Sequence, residues 1–207
     1  MTIKLLWARV ISAIFHPLLM PTLGVIILFS LSTYISFSLS TQAKRLIVFI
    51  VFVNTAIAPM FVILFFKKIG YIKNILLNER SDRIYPTTIT LFLYMFTYYL
   101  FRESNLPYLL NFFIIGATFL TFIGLIITLF WKISIHMMSM GGLTGFLICI
   151  SLVLTYEIPL LILLSILISG LLGTARIKLN AHNPPQVYAG FLMGVSVMLG
   201  LFLVMNA

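Results

Sequence analysis

The sequence predicts an all-α fold, a polytopic bundle of transmembrane helices with about seven spans, or six if the short third one does not cross. Three observations carry this reading. Hydrophobic residues make up 62% of the 207 positions and charged residues only 8%, and the mean hydropathy of +1.18 excludes an ordinary soluble core. The apolar residues fall in runs long enough to cross a hydrocarbon layer about 30 Å thick at 1.5 Å per residue. The charges gather between those runs, most of them in three polar islands. No linker or repeat divides the chain, so residues 1–207 read as a single integral membrane domain.

Residues 1–16 carry Lys4, Trp7 and Arg9 among apolar neighbours, the composition of a segment at the membrane interface ahead of a retained first span. No small-residue cleavage site follows it. The first span is predicted over residues 17–37, and Lys44 with Arg45 marks the next interface. The second, residues 46–66, contains Asn54 and Pro59, which membrane helices tolerate when neighbours satisfy the freed backbone groups. Residues 67–86 form the first island, with Asn78, Glu79 and Asp82 interleaved with Arg80 and Arg83. A short, tyrosine-rich third span is expected over residues 87–101, a polar turn at Arg102 to Asn105, and a fourth span over residues 109–131. The second island, Lys132 to His136, precedes a fifth span over residues 137–155 whose Gly141, Gly142 and Gly145 permit close helix approach. Tyr156 to Pro159 turns the chain into a sixth span ending near Gly173. The third island, Ala175 to Gly190, overlaps the start of a seventh span over residues 187–204.

Two spans separate each island from the next, so all three are expected on one side, with a site at the membrane surface. Ionisable residues at membrane depth are expensive, and three such islands on one face make a functional-site hypothesis. Ten of the 13 Lys and Arg lie on that side, leaving Lys44, Arg45 and Arg102 opposite. The positive-inside rule then predicts a multi-pass protein of the plasma (inner) membrane with the site facing the cytoplasm. The excess of Lys and Arg over the four acids reads as a topology signal and as affinity for anionic lipid, not for nucleic acid, because no basic face survives once the spans are removed.

Cys149 is the only cysteine and lies in an apolar run, which rules out a disulfide framework and a thiolate metal site; a buried small side chain is the expectation. His16 precedes Pro17 at the mouth of a span and reads as structural. The histidines and acids are too few for a metal site, and no cofactor is expected. His136 and His182 each admit an ordinary role, an interface residue and a helix cap beside Asn183-Pro184-Pro185, but together they stand in two islands of one face.

The islands resemble the three motifs of the type-2 phosphatidic acid phosphatase family of integral membrane lipid phosphatases. The third motif of that family is S-R, five residues, H, three residues, D; Ala175-Arg176, His182 and Gln186 fall at those spacings, with alanine for serine and glutamine for aspartate. The second, P-S-G-H, is met by Ile133-Ser134-Ile135-His136 at its serine and histidine. The first, K, six residues, R-P, is met by Lys73 and Arg80 with Ser81 for proline, and Arg83 with Pro86 is a displaced alternative. The resemblance covers residues 73–190 and implies roles. His182 would attack phosphorus to give a phosphohistidine, and His136 would protonate the leaving oxygen. Lys73, Arg80 or Arg83, Ser134 and Arg176 would hold the phosphate oxygens, and Gln186 would orient His182. Phosphoryl transfer asks for such a set: cations and donors around charged oxygens, an in-line nucleophile and an acid. Because Gln186 brings no negative charge, Glu79 and Asp82 are the candidate supporting acids.

The leading expectation is a metal-independent membrane phosphatase acting on a lipid phosphate or polyprenyl diphosphate, with membrane lipid as its environment. A catalytically weak or inactive relative that binds or transports an anionic lipid is the alternative. A channel or secondary transporter ranks third, since the sequence shows neither an inverted repeat nor paired intramembrane acids.

Overall fold

The computed structural model describes residues 5–74, 79–104, 106–154 and 158–205. They are helical with no strand among them, and six helices are long and apolar enough to cross a membrane, which makes the chain a multi-pass membrane protein by length and composition. Phe61, Phe65, Leu167, Leu171, Leu192 and Leu203 are each more than half exposed. Helix faces of this kind cannot be left to water and are satisfied by lipid.

Two units make up the chain, one from its two ends, Met1–Met20 with Phe130–Ala207, and one from Pro21–Leu129. The first contains α1 (Leu6–Ile14), a short 3₁₀ turn (Pro17–Leu19), α8 (Ile135–Leu154), α9 (Pro159–Lys178) and α10 (Pro184–Met205), between which the second unit supplies α2 (Met20–Ser30), α3 (Tyr34–Ser38), α4 (Thr41–Phe52), α5 (Ala58–Lys68), α6 (Arg80–Glu103) and α7 (Tyr108–Phe130).

Within the first unit α8 is the packed centre, lying against both α10 and α9, while α1 lies on α9. Glycines set the α8–α10 distance. A Cβ at Gly141 would overlap the Phe191 carbonyl, one at Gly194 would stand 2.6 Å from the Gly142 nitrogen, and one at Gly145 2.8 Å from the Met198 Cβ. The backbones therefore meet directly, as small residues allow in membranes where van der Waals contact, not hydrophobicity, holds helices together. Cys149 is buried here as expected, with Sγ 3.9 Å from the Met198 carbonyl.

In the second unit α4 and α5 run on through a π turn at Val53–Ile57, giving one apolar helix over Thr41–Lys68. Pro59 explains the turn: its ring lacks an N–H and crowds the carbonyl four residues back, so the chain widens and Ala58 bonds Val53, five residues back.

Two expected boundaries are corrected. The first apolar helix covers Leu6–Ser30, starting earlier and ending sooner than residues 17–37, with a break at His16–Pro17. It stops at Ser30, and the Ser36 hydroxyl donates to the Phe29 carbonyl at 2.8 Å, satisfying an acceptor left open at the helix end. The short third span over residues 87–101 is the C-terminal part of α6, 24 residues long and about 36 Å at the usual rise. Pro86 lies inside this helix and does not precede it, so Arg80, Asp82 and Arg83 stand on helix turns and not in a loop. With its threonines and tyrosines α6 is more polar than the six helices above.

Candidate functional site

The third island is explained first by how its backbone is satisfied. α9 ends at Leu179 with Asn180 in the left-handed region at φ 52°. The Ala181 N–H donates to the Arg176 carbonyl at 3.1 Å and the Asn180 N–H to the Ile177 carbonyl at 2.9 Å, the pair of bonds that closes a helix in a Schellman motif. Three residues later α10 opens with a reciprocal cap. The Gln186 N–H donates to the Asn183 Oδ1 at 3.1 Å, and the Asn183 N–H donates to the Gln186 Oε1 at 3.2 Å. Asn180, Asn183 and Gln186 thus all serve the turn. The side chains of Arg176 and His182 are not required by the turn.

His182 is buried, 7% exposed, with its Nδ1 3.1 Å from the Gln186 Oε1. Which amide atom faces the ring is settled by the second partner: the Asn183 N–H needs an acceptor there, so the atom is oxygen. Nδ1 is therefore the protonated nitrogen, and the lone pair of the neutral ring is on Nε2. The cap that starts α10 also fixes the tautomer a nucleophilic imidazole needs.

The start of α8 is tied to the same place. Ser134 donates its N–H to the Gln186 carbonyl at 3.3 Å, and its own carbonyl accepts the Met138 N–H at 2.9 Å. Gly190 permits this approach, since a Cβ there would lie 2.7 Å from the Ser134 carbonyl oxygen. Ser134 occupies the position from which a serine usually caps the first turn. Its hydroxyl is fully buried and has no hydrogen-bond partner among the described residues. His136 follows in the first turn of α8, bonded to the Ser12 backbone and within electrostatic reach of Arg176, His16 and His182. The rings of His16 and His136 meet nearly at right angles, centroids 5.3 Å apart. All three histidines of the chain thus gather with Arg176 at one end of this unit.

The sequence of this unit, residues 1–20 and 130–207, contains one acid, Glu157, which lies outside the described residues. Groups of three His, Cys, Asp or Glu placed to hold a metal are absent among the described residues. A hydroxyl, a guanidinium, imidazoles and the first-turn amides of α8 make a donor-rich set suited to an oxyanion, because helix N-termini and arginine forks both bind such oxygens. Lys178 points elsewhere, its Nζ 5.2 Å from the centroid of the Trp7 ring, a cation–π contact that holds α1 to α9.

Lys73, Glu79, Arg80, Asp82 and Arg83 belong to the second unit. Asp82 is buried in the first turn of α6 and its Oδ2 accepts the Lys73 N–H at 3.2 Å, while the Lys73 carbonyl accepts from the Lys67 Nζ. Arg83 is buried beside Glu79, and Lys73, Glu79 and Arg80 are exposed. Asn78 lies outside the described residues. The structure therefore brings together Ser134, His136, Arg176, His182 and Gln186 in the first unit, and Lys73, Glu79, Asp82 and Arg83 in the second.

Sequence reasoning treated His16 as structural, and that role is present: its Nδ1 accepts the Leu18 N–H at 3.3 Å and opens the 3₁₀ turn. Its contact with His136, 120 positions away, has no local signature.

Comparison with protein-family models, curated proteins and solved structures returns no match.

Proposed function

We propose that the chain is an integral membrane phosphatase that hydrolyses a lipid phosphate or polyprenyl diphosphate through a phosphohistidine. One observation carries this reading: His182, buried and held with its lone pair on Nε2, gathers with a second histidine and an arginine, beside Ser134, whose backbone bonds Gln186 and whose buried hydroxyl has no hydrogen-bond partner among the described residues. The motif resemblance of residues 73–190 to the type-2 phosphatidic acid phosphatases supports it.

The proposed chemistry uses the first unit alone. Arg176, the Ser134 hydroxyl and the first-turn amides of α8 take the phosphate oxygens. His182 Nε2 attacks phosphorus, the bond from phosphorus to the lipid oxygen breaks, and His136, entering as the imidazolium with one N–H on the Ser12 carbonyl, gives the proton of its other nitrogen to that oxygen. A water then attacks the phosphohistidine, His136 takes its proton, and the N–P bond breaks to release phosphate. Gln186 holds Nδ1–H throughout but supplies no negative charge to the imidazolium side of the reaction. In a serine protease the corresponding change from aspartate to its amide lowers the rate about 10⁴-fold, so turnover here is slow. That same absence of a carboxylate supports the second reading, an anionic-lipid binder or carrier built on the same cluster.

A site among helix ends suits a substrate with an apolar anchor, which stays in the bilayer while its headgroup reaches the cluster. The charge bias of the sequence supports a cytoplasmic facing for that surface, in the plasma (inner) membrane. Purified protein offered a panel of lipid phosphates and polyprenyl diphosphates is expected to release phosphate. His182→Ala and His136→Ala are each expected to abolish release while insertion and melting in detergent are retained. Wild-type turnover in either variant refutes the assigned roles, and no release by the wild type leaves the binding reading as the better one.

A further inference from the structure

The break between α1 and α2 has a local cause. A residue before proline is pushed out of the helical region, and His16 is extended at φ −68° and ψ 137° ahead of Pro17. The Leu18 N–H bonded to His16 Nδ1 at 3.3 Å then holds the ring, and it assigns the proton of the neutral ring to Nε2. Turn geometry would be served as well by any short side chain with an acceptor at that position, since Ser, Thr, Asn and Asp are the usual choices. A histidine does something more here: its ring stands at 80° to that of His136 with centroids 5.3 Å apart, an edge-to-face arrangement that aromatic rings favour and that resists rotation.

His136 is thereby held from two sides by one segment. Ser12, in the last turns of α1, offers its carbonyl to a ring N–H of His136, and His16, just past the end of α1, sets the ring plane. From the other elements packed around it, Arg176 of α9 and His182 of the α9–α10 link face the same ring. Without the α1 segment, a histidine in the first turn of α8 would keep the rotational freedom of an unsupported side chain.

We propose that His16 is a positioning residue: its ring, pressed edge-to-face on His136, orients His136 for proton transfer to the leaving oxygen. This rests on the phosphatase reading for its chemistry, but the orientation itself is measurable without substrate.

Two variants separate this from a turn-capping role because they predict opposite orders. His16→Asn keeps an acceptor for the Leu18 N–H and removes the ring. His16→Phe keeps an aromatic edge against His136 and removes the acceptor. Nitrogen-15 NMR of the imidazoles in detergent, assigned by single histidine replacements, reads the tautomer of His136. Positioning predicts one dominant tautomer in wild type and His16→Phe and a mixture in His16→Asn. Capping alone predicts that His16→Asn matches wild type and that His16→Phe is the impaired protein. That order, or equal behaviour of the two variants, overturns the proposal.

In the phosphate-release assay His16→Asn is expected to lower kcat about tenfold to a hundredfold and leave KM within about twofold, since binding common to ground and transition states is untouched. An unchanged kcat in an active enzyme also overturns it. If the wild type releases no phosphate, the phosphatase reading fails while the NMR order still decides the role of His16.

Discussion

The Oε1 of Gln186 accepts two hydrogen bonds at once, from His182 Nδ1 at 3.1 Å and from the Asn183 backbone at 3.2 Å. One side chain therefore starts a membrane helix and orients the imidazole proposed as nucleophile. Positions four apart on a helix share a face, and here the first of the pair lies just before the helix, in its entry turn.

The double role makes the charge of this residue testable. Gln186→Glu keeps the length and both acceptors and adds the missing negative charge, so phosphate release is expected to rise at least about tenfold, part of the 10⁴ separating acid from amide in a serine protease. Gln186→Asp is expected to gain less, its shorter side chain reaching only one of the two donors. Gln186→Met, which accepts from neither, should lose activity and about 1 kcal/mol of stability with the cap. Initial rates and detergent melting curves check all three, and no gain in either acidic variant favours the binding reading.

The glycines between α8 and α10 predict a sharp contrast within α10. Gly194→Ala places a methyl against the Met138 carbonyl and the Gly142 nitrogen, and forcing the helices apart should lower stability by about 1–3 kcal/mol or more. Gly200 has open space around its added methyl, so Gly200→Ala is expected to be neutral or to gain up to about 1 kcal/mol from helix propensity. Side-by-side melting in one detergent reads the difference.

In the second unit, the bond from the Lys73 N–H to Asp82 folds the segment after α5 onto the start of α6. Asp82→Ala removes a charged acceptor worth about 1.5–3 kcal/mol. Hydrogen exchange at the Lys73 amide is expected to accelerate at least about tenfold, 1.4 kcal/mol being tenfold in an equilibrium. Asp82→Asn, which keeps an oxygen in place, should show a smaller increase.

Sidedness can be read with one introduced thiol. Pro185 is exposed in the first turn of α10, and Cys149 is buried and so contributes little background. Pro185→Cys leaves the Asn183–Gln186 cap in place. The cytoplasmic assignment predicts labelling by a membrane-impermeant maleimide in inside-out vesicles and not in intact cells. The opposite pattern refutes it.

The helical membrane class was legible in the sequence because a run of apolar residues of sufficient length has few other stable structures in or out of a membrane. Most helix positions followed from the same pattern, and so did the burial of Cys149. Boundaries that depend on competing local bonds were not legible. Pro86 reads as the end of a loop, but α6 starts six residues before it, where Glu79 precedes the helix and Asp82 lies in its first turn, a place that suits negative charge.

The candidate site divides the same way. His136, Arg176, His182 and Gln186 were picked out as polar side chains between apolar runs, which need a reason to be there, and by the motif resemblance. Only the tertiary structure decided that His182 has its proton on Nδ1, that the Ser134 hydroxyl is buried without a partner among the described residues, and that His16 lies against His136. These are facts about groups distant in the chain or about which of two atoms faces a ring. Hydrophobic pattern is a property of neighbours along one helix and specifies that helix by itself. The meeting of α1, α8 and the α9–α10 link depends on how glycine faces and helix ends pack in three dimensions, which no single stretch of the sequence encodes.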